Sequence, residues 1–214
     1  MLPLVVKVIL YTCLGYFSGN IMYAYWVPKL VKGVDVRDFG ADRNPGATNA
    51  TLACGLPMGV LCAVLDVLKG LIPVTLAFHV SGLTGWALVP VVIAPVVGHA
   101  WPLMLPGRGG KAIATSFGVL SGLLPEILLA VMWAVLLLIC LPFIHKHREL
   151  ILITSALLAM LTFVVYHAMP IRVMACSVAA ILMYKHRPHC GQIGRASCRK
   201  ECILLCRSRW SPYH

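Results

Sequence analysis

The sequence predicts an all-α fold: a polytopic membrane helical bundle of about seven transmembrane segments, with the N-terminus outside and the C-terminus in the cytoplasm. Three observations lead there. Of 214 residues, 60% are hydrophobic and only 12% charged, whereas a soluble domain averages roughly 45–50% apolar and about 25% charged. The apolar residues stand in long unbroken runs, and in lipid only helices and closed barrels satisfy every backbone group, so such runs mean helices. Basic residues, finally, collect in every second connection between the runs.

The apolar segments lie at roughly 4–27, 57–80, 84–105, 112–125, 126–144, 149–168 and 170–184. The first is about as long as a membrane-spanning helix needs to be and carries no early cleavage site, so it reads as a retained helix rather than a signal peptide. The fourth and seventh are shorter than the roughly 20 residues of a full span. Pro125-Glu126 separates the fourth from the fifth, because proline ends or kinks a helix. The connection after the first segment carries Lys29, Lys32, Arg37 and Arg43, and the next has no basic residue. Arg108 and Lys111 follow, then a connection with none, then Lys146 and Arg148, Arg172 alone, and Lys185 with Arg187. The positive-inside rule reads this alternation as an outside N-terminus and a cytoplasmic C-terminus.

The net charge of +11 is therefore first a topology signal. A nucleic-acid partner would need a basic soluble face, which the chain lacks. The nine cysteines form no disulfide framework. Cys13, Cys62, Cys140 and Cys176 sit in apolar runs, and Cys190, Cys198, Cys202 and Cys206 lack the paired spacing of a zinc site, so no metal is expected. Residues 1–192 form the membrane domain. From Ile193 onward the composition turns basic and cysteine-rich, and the pieces IGRASCR and RSRWSPYH resemble the translation of a sequencing adapter. Residues 193–214 are set apart as a non-native tail, with a basic tail on an anionic membrane surface as the alternative.

Chemistry concentrates in three places. The stretch from Lys29 to Gly55 is the one long polar, glycine-punctuated segment, closing on Asn44-Pro45-Gly46-Ala47-Thr48-Asn49. Long loops with turn residues and mixed charge are commonly functional. Asp66 and Lys69, three residues apart on one helical face, put charge inside an apolar segment, where it is costly and faces a bundle interior or an aqueous cavity. A structural ion pair is the plain alternative. Gly98-His99 and then Gly109-Gly110-Lys111, leading to Thr115, have the composition of a phosphate cradle: glycines let N–H groups converge on an anion, a helix start adds its dipole, and the lysine adds full charge. Leu105 and Ala112 exclude a Walker A loop. The third place is Lys185-His186-Arg187, while His145 and His147 read as a solvated turn. No Ser–His–Asp or Cys–His arrangement is present, and no cofactor is implied.

These residues resemble a family. Asn44-Pro45-Gly46-Ala47-Thr48-Asn49, then Gly59, Asp66, Lys69 and Gly70, then Gly98-His99 and Gly109-Gly110-Lys111-x-x-Ala114-Thr115 look like the bacterial acyl-phosphate-dependent glycerol-3-phosphate acyltransferases, with Lys185-His186-Arg187 extending the match. The resemblance implies a seven-span enzyme of the inner (cell) membrane with its active site facing the cytoplasm. It implies transfer of a fatty acyl group from acyl phosphate to glycerol 3-phosphate, giving lysophosphatidic acid and phosphate in phospholipid synthesis. Membrane lipid surrounds such an enzyme, and a soluble acyl-phosphate-producing enzyme is a candidate partner. By the same resemblance Lys111, Asn49 and His186 are catalytic, and Arg43, Asn44, Gly46, Thr48, Asp66, Lys69, His99, Gly109, Gly110 and Thr115 bind substrate. The chain departs from the family pattern at Gly40-Ala41-Asp42-Arg43-Asn44, one residue longer and without serine, at Leu52 in place of an arginine, at Gly19-Asn20-Ile21-Met22 and at His189. Arg43 is the candidate replacement for the lost cation. A transporter or binding protein for a phosphorylated small molecule, and an inactive diverged homologue, stay open as alternatives.

Overall fold

The computed structural model describes residues 2–40, 42–105, 109–125 and 128–187. Ala41, Arg108, Glu126, His189 and the tail from residue 193 lie outside them. Nine α-helices and no strands are present among the described residues. They are α1 (Leu4–Asn20), α2 (Tyr23–Lys32), α3 (Ala47–Cys54), α4 (Leu56–Thr75), α5 (Val89–Ala100), α6 (Ile113–Ser121), α7 (Leu129–Cys140), α8 (His147–Val165) and α9 (Met169–His186). Each apolar segment of the sequence carries helix.

α4 runs on through a π-helical turn to Val80, making 25 residues with an 18-residue stretch of mean hydropathy 2.0, and α8 has 19 residues with such a stretch of mean hydropathy 1.9. Both are long and apolar enough to cross a membrane; α1 and α2, bent by 45° at their junction, make a third if taken as one span. Leu4, Val5, Ile9, Phe17, Val60, Val64, Ile72, Leu138 and Phe163 are all exposed, a load of outward apolar surface that a soluble monomer rarely carries.

The first segment departs from the expectation of one continuous helix. α1 stops at Asn20, whose side-chain amide donates to Tyr16 O (2.7 Å) and whose Oδ1 accepts the N–H of Leu103 (2.5 Å). The break frees the Ile21 carbonyl, which accepts from Lys69 Nζ at 2.6 Å. A cation at a helix C-terminus is the favourable arrangement. Within the loop, Gly46 and Gly55 bracket the short helix α3, which packs on α4 and α2.

α1 packs on α5 and α4, α4 on α6, α5 on α9, and α8 on α9 and α7. Small residues bring these backbones together, as in membrane bundles generally. A Cβ on Gly118 of α6 would overlap Val67 O of α4, and one on Gly70 would come within 2.5 Å of Thr115 O. The largest core cluster runs from Val74 through Val91, Val119 and Leu123 to Trp133, Leu158 and Leu182. Phe117 stacks on Trp133 at 4.7 Å, and Trp133 Nε1 donates to Thr154 Oγ1 (3.2 Å), giving the buried indole its partner.

Candidate active site

Where the bundle ends, the polar loop, the glycine-rich loop and the C-terminus of α9 come together. Lys111 Nζ lies 2.7 Å from Asp42 Oδ2. Asn49, buried in the first turn of α3, donates through Nδ2 to Asp42 Oδ1 (3.1 Å) and to Asn44 O (2.8 Å). The Asn44 N–H reaches the same Oδ1 at 3.2 Å. Partial burial acts to raise the pKa of the Asp42 carboxyl, but the Lys111 ammonium and the Asn44 and Asn49 donors outweigh it and hold the group below the usual carboxylate range.

His186 closes the cluster from α9. Its ring is buried, and Nδ1 lies 2.8 Å from Leu182 O. Because a carbonyl only accepts, Nδ1 carries the proton and Nε2 keeps its lone pair. Nε2 is buried and has no hydrogen-bond partner among the described residues. Lys111, Asp42 and His147 all act electrostatically on this ring. His147, the first residue of α8, is exposed but feels Lys111 and Asp42 as well. His145 and His147 are both exposed, as the reading of a solvated turn expects.

Behind Lys111 the glycine loop is fixed from two sides. The Gly110 N–H donates to His99 O (3.0 Å), and the Gly110 Cα packs so closely on the imidazole that a Cβ would overlap His99 Nε2. Gly109 lies against the Ala100 carbonyl, and Lys185 Nζ binds both the Ala100 and Gly109 carbonyls, at 2.8 and 3.4 Å. The Lys185 ammonium also stands 5.5 Å over the Trp101 ring. Ala112, in the left-handed region at φ 63°, turns the chain into α6.

Deeper still, Asp66 and Lys69 pair at 2.7 Å with both side chains almost fully buried, and His99 Nδ1 is 3.9 Å from the same carboxylate oxygen. A lone buried charge would be prohibitive, and the pairing offsets part of that cost. Its contacts are internal: it ties the α1–α2 junction, through Ile21 O and Ser18 Oγ on Lys69 O (2.8 Å), to the helix bearing His99. Thr115 is fully buried beside Gly70. Gly46 precedes α3, and Thr48 and Arg43 are exposed. Arg43 sits at φ 50° with no ion pair among the described residues.

The structure thus gathers Asn44, Asn49, Gly109, Gly110, Lys111 and His186 around one place, with Asp66, Lys69, His99 and Thr115 in the layer behind it. Asp42 joins them without having been expected. The arrangement suits an anion: Lys111, the Asn44 N–H and the Asn49 side-chain amide converge close to the start of α6. The sequence profile of the family described as glycerol-3-phosphate acyltransferase matches residues 9–196.

The chain belongs to the glycerol-3-phosphate acyltransferase family.

Among its relatives, the glycerol-3-phosphate acyltransferase of Aquifex aeolicus is 33% identical over 188 residues, covering 87% of this chain and 95% of the relative. That of Fusobacterium nucleatum is 34% identical over 181 residues, or 84% and 91%. The fold is similar to the crystal structure of PlsY (YgiH), an integral membrane glycerol 3-phosphate acyltransferase, in its glycerol 3-phosphate form. The TM-score is 0.75 at 28% identity, over 97% of this chain and 96% of that one. The lysophosphatidic acid form gives 0.74 at 29% identity, over 89% and 92%. This member of the glycerol-3-phosphate acyltransferase family is accordingly an integral membrane protein.

Proposed function

We propose that this chain transfers a fatty acyl group from acyl phosphate to glycerol 3-phosphate, giving lysophosphatidic acid and inorganic phosphate. The observation that carries the reading is the convergence of Lys111, Asn49 and His186 with the Gly109–Gly110 loop in a chain of this family. An acyl phosphate is already activated, so the protein's work is positioning and charge neutralisation. Lys111 holds the phosphate at the end of the glycine loop, whose Gly110 N–H is already taken by the His99 carbonyl. Asn44, Gly46, Thr48 and Asn49 shape the first-loop wall, and Arg43 offers a second cation at its rim. His186 Nε2, with its lone pair free, takes the proton of the acceptor hydroxyl as the hydroxyl oxygen attacks the acyl carbon and the carbon–oxygen bond to phosphate breaks. Asp66, Lys69, His99 and Thr115 hold these groups in place from behind.

The alternating basic connections support seven spans, an outside N-terminus and a site on the cytoplasmic face of the inner membrane. That face is where a soluble enzyme producing acyl phosphate would deliver it. Residues 193–214 play no part, being read as a non-native tail, and a chain ending at residue 192 is expected to keep full transfer activity. The test is direct: proteoliposomes given palmitoyl phosphate and radiolabelled glycerol 3-phosphate form lysophosphatidic acid. A yield equal to that of empty vesicles would refute the reading.

A further inference from the structure

Asp42 lies in the stretch from Gly40 to Asn44 that is one residue longer than the family pattern, and its carboxylate has three hydrogen-bond donors around it. One oxygen takes Lys111 Nζ at 2.7 Å; the other takes Asn49 Nδ2 at 3.1 Å and the Asn44 N–H at 3.2 Å. Of these donors, Lys111 is the group assigned above to the substrate phosphate, and Asn44 and Asn49 form the wall beside it. A carboxylate and a phosphate offer the same kind of anionic oxygen to such donors, so the two compete for them.

We propose that Asp42 is a specificity determinant of the phosphate site, an internal anion that a membrane-anchored acyl phosphate displaces more readily than free inorganic phosphate does. The two anions differ in what else holds them. Each buried methylene of an acyl chain favours the membrane by about fourfold, and anchoring in the bilayer raises the effective concentration of the attached phosphate. Inorganic phosphate has neither advantage and meets the full competition of the carboxylate. After transfer Asp42 returns to Lys111 and clears the product. The inference rests on the acyl-transfer reading for the identity of the two anions.

The test is calorimetric titration of the detergent-solubilised full chain with inorganic phosphate, which needs no turnover. Asp42→Asn and Asp42→Ser remove the competing charge in two different ways, so that one misfolded variant does not decide the result. Lys111 and Asp42 are both partly exposed, and breaking such a pair frees the lysine for phosphate by about twofold to fivefold. Binding tighter by that factor in either folded variant, and no gain when Lys111→Ala is added, is the expected result. Phosphate affinity unchanged or weakened in the folded variants would overturn the proposal. Tightening in a protein that forms no lysophosphatidic acid would uphold Asp42 as the internal competitor and refute the reaction instead.

Discussion

Substituting Gly110 with alanine adds a single methyl group at the point where the glycine loop rests on the buried imidazole. That Cβ would overlap His99 Nε2 and come within 2.8 Å of Cδ2 and Cε1. Non-bonded heavy atoms settle at about 3.5–4.0 Å, so the overlap with Nε2 drives ring and loop apart by about 1.5 Å or more. The ring has little room to yield, being buried with Asp66 beside it. The loop therefore moves, and Lys111 moves with it. Overpacking of this kind costs about 1–3 kcal/mol, and a 1 Å misplacement of a positioning group costs about 10²-fold in rate, or roughly 2.7 kcal/mol of transition-state stabilisation. Steady-state acyl transfer by the purified Gly110→Ala variant is expected to show kcat/KM reduced by about that factor, with normal membrane insertion. Combining it with His99→Ala should cost less than the two single losses together, because one clash is removed. Activity within twofold of the parent, or strict additivity in the pair, would refute the packing argument.

Lys111→Ala removes the one full positive charge that follows the glycine loop and is expected to lower turnover by about 10²–10³-fold while expression and insertion stay unchanged; retained turnover would mean the phosphate lies elsewhere. Gly118→Val drives a side chain into Val67 O where α6 crosses α4. Its thermal unfolding in detergent should begin at lower temperature, by a destabilisation of about 1–3 kcal/mol, and an unchanged transition would contradict the close crossing. The Asp35 carboxylate is held down to about 2 from 3.8, chiefly by its hydrogen bonds from Arg37, which also lies 4.5 Å over the Tyr25 ring. A depressed carboxylate adds stability that is complete above its unfolded pKa and disappears as pH falls through the folded one. Asp35→Asn should thus lower the unfolding temperature at pH 7, with the difference closing between 3.8 and about 2; a difference constant across that window would remove Asp35 as its source.

How far the sequence reveals this molecule depends on the range of the interactions involved. The apolar segments place the helices because burial in lipid is written in composition alone. Asp66 and Lys69 emerge as a pair because three residues is less than one helical turn. The break at Ile21 is invisible locally: the side chain that ends α1 binds Leu103, and the cation that caps it comes from Lys69. α3 hides for a related reason, since ATNATLAC has no strong apolar stripe and its helix is held by packing on α4. Glycine and lysine identities make the loop around Lys111 legible as an anion cradle, yet they say nothing of Asp42, which comes from a loop 69 residues earlier. His147 illustrates the same limit. Beside Lys146 and Arg148 it has the signature of a solvated turn and is exposed, and its sequence neighbours say nothing of the influence that Lys111 and Asp42 exert on it. The extra residue between Gly40 and Asn44 was visible as a departure from the family pattern; its consequence was a matter of tertiary structure.

The central claim is that Lys111, Asn49 and His186 form one site for acyl transfer between two phosphate-bearing molecules. It is tested most directly by reconstituting the chain in vesicles with palmitoyl phosphate and glycerol 3-phosphate and following both products. Lysophosphatidic acid and inorganic phosphate should appear in equal amounts, with both lost in Lys111→Ala. Release of phosphate with no lysophosphatidic acid, or yields equal to those of empty vesicles, would contradict it.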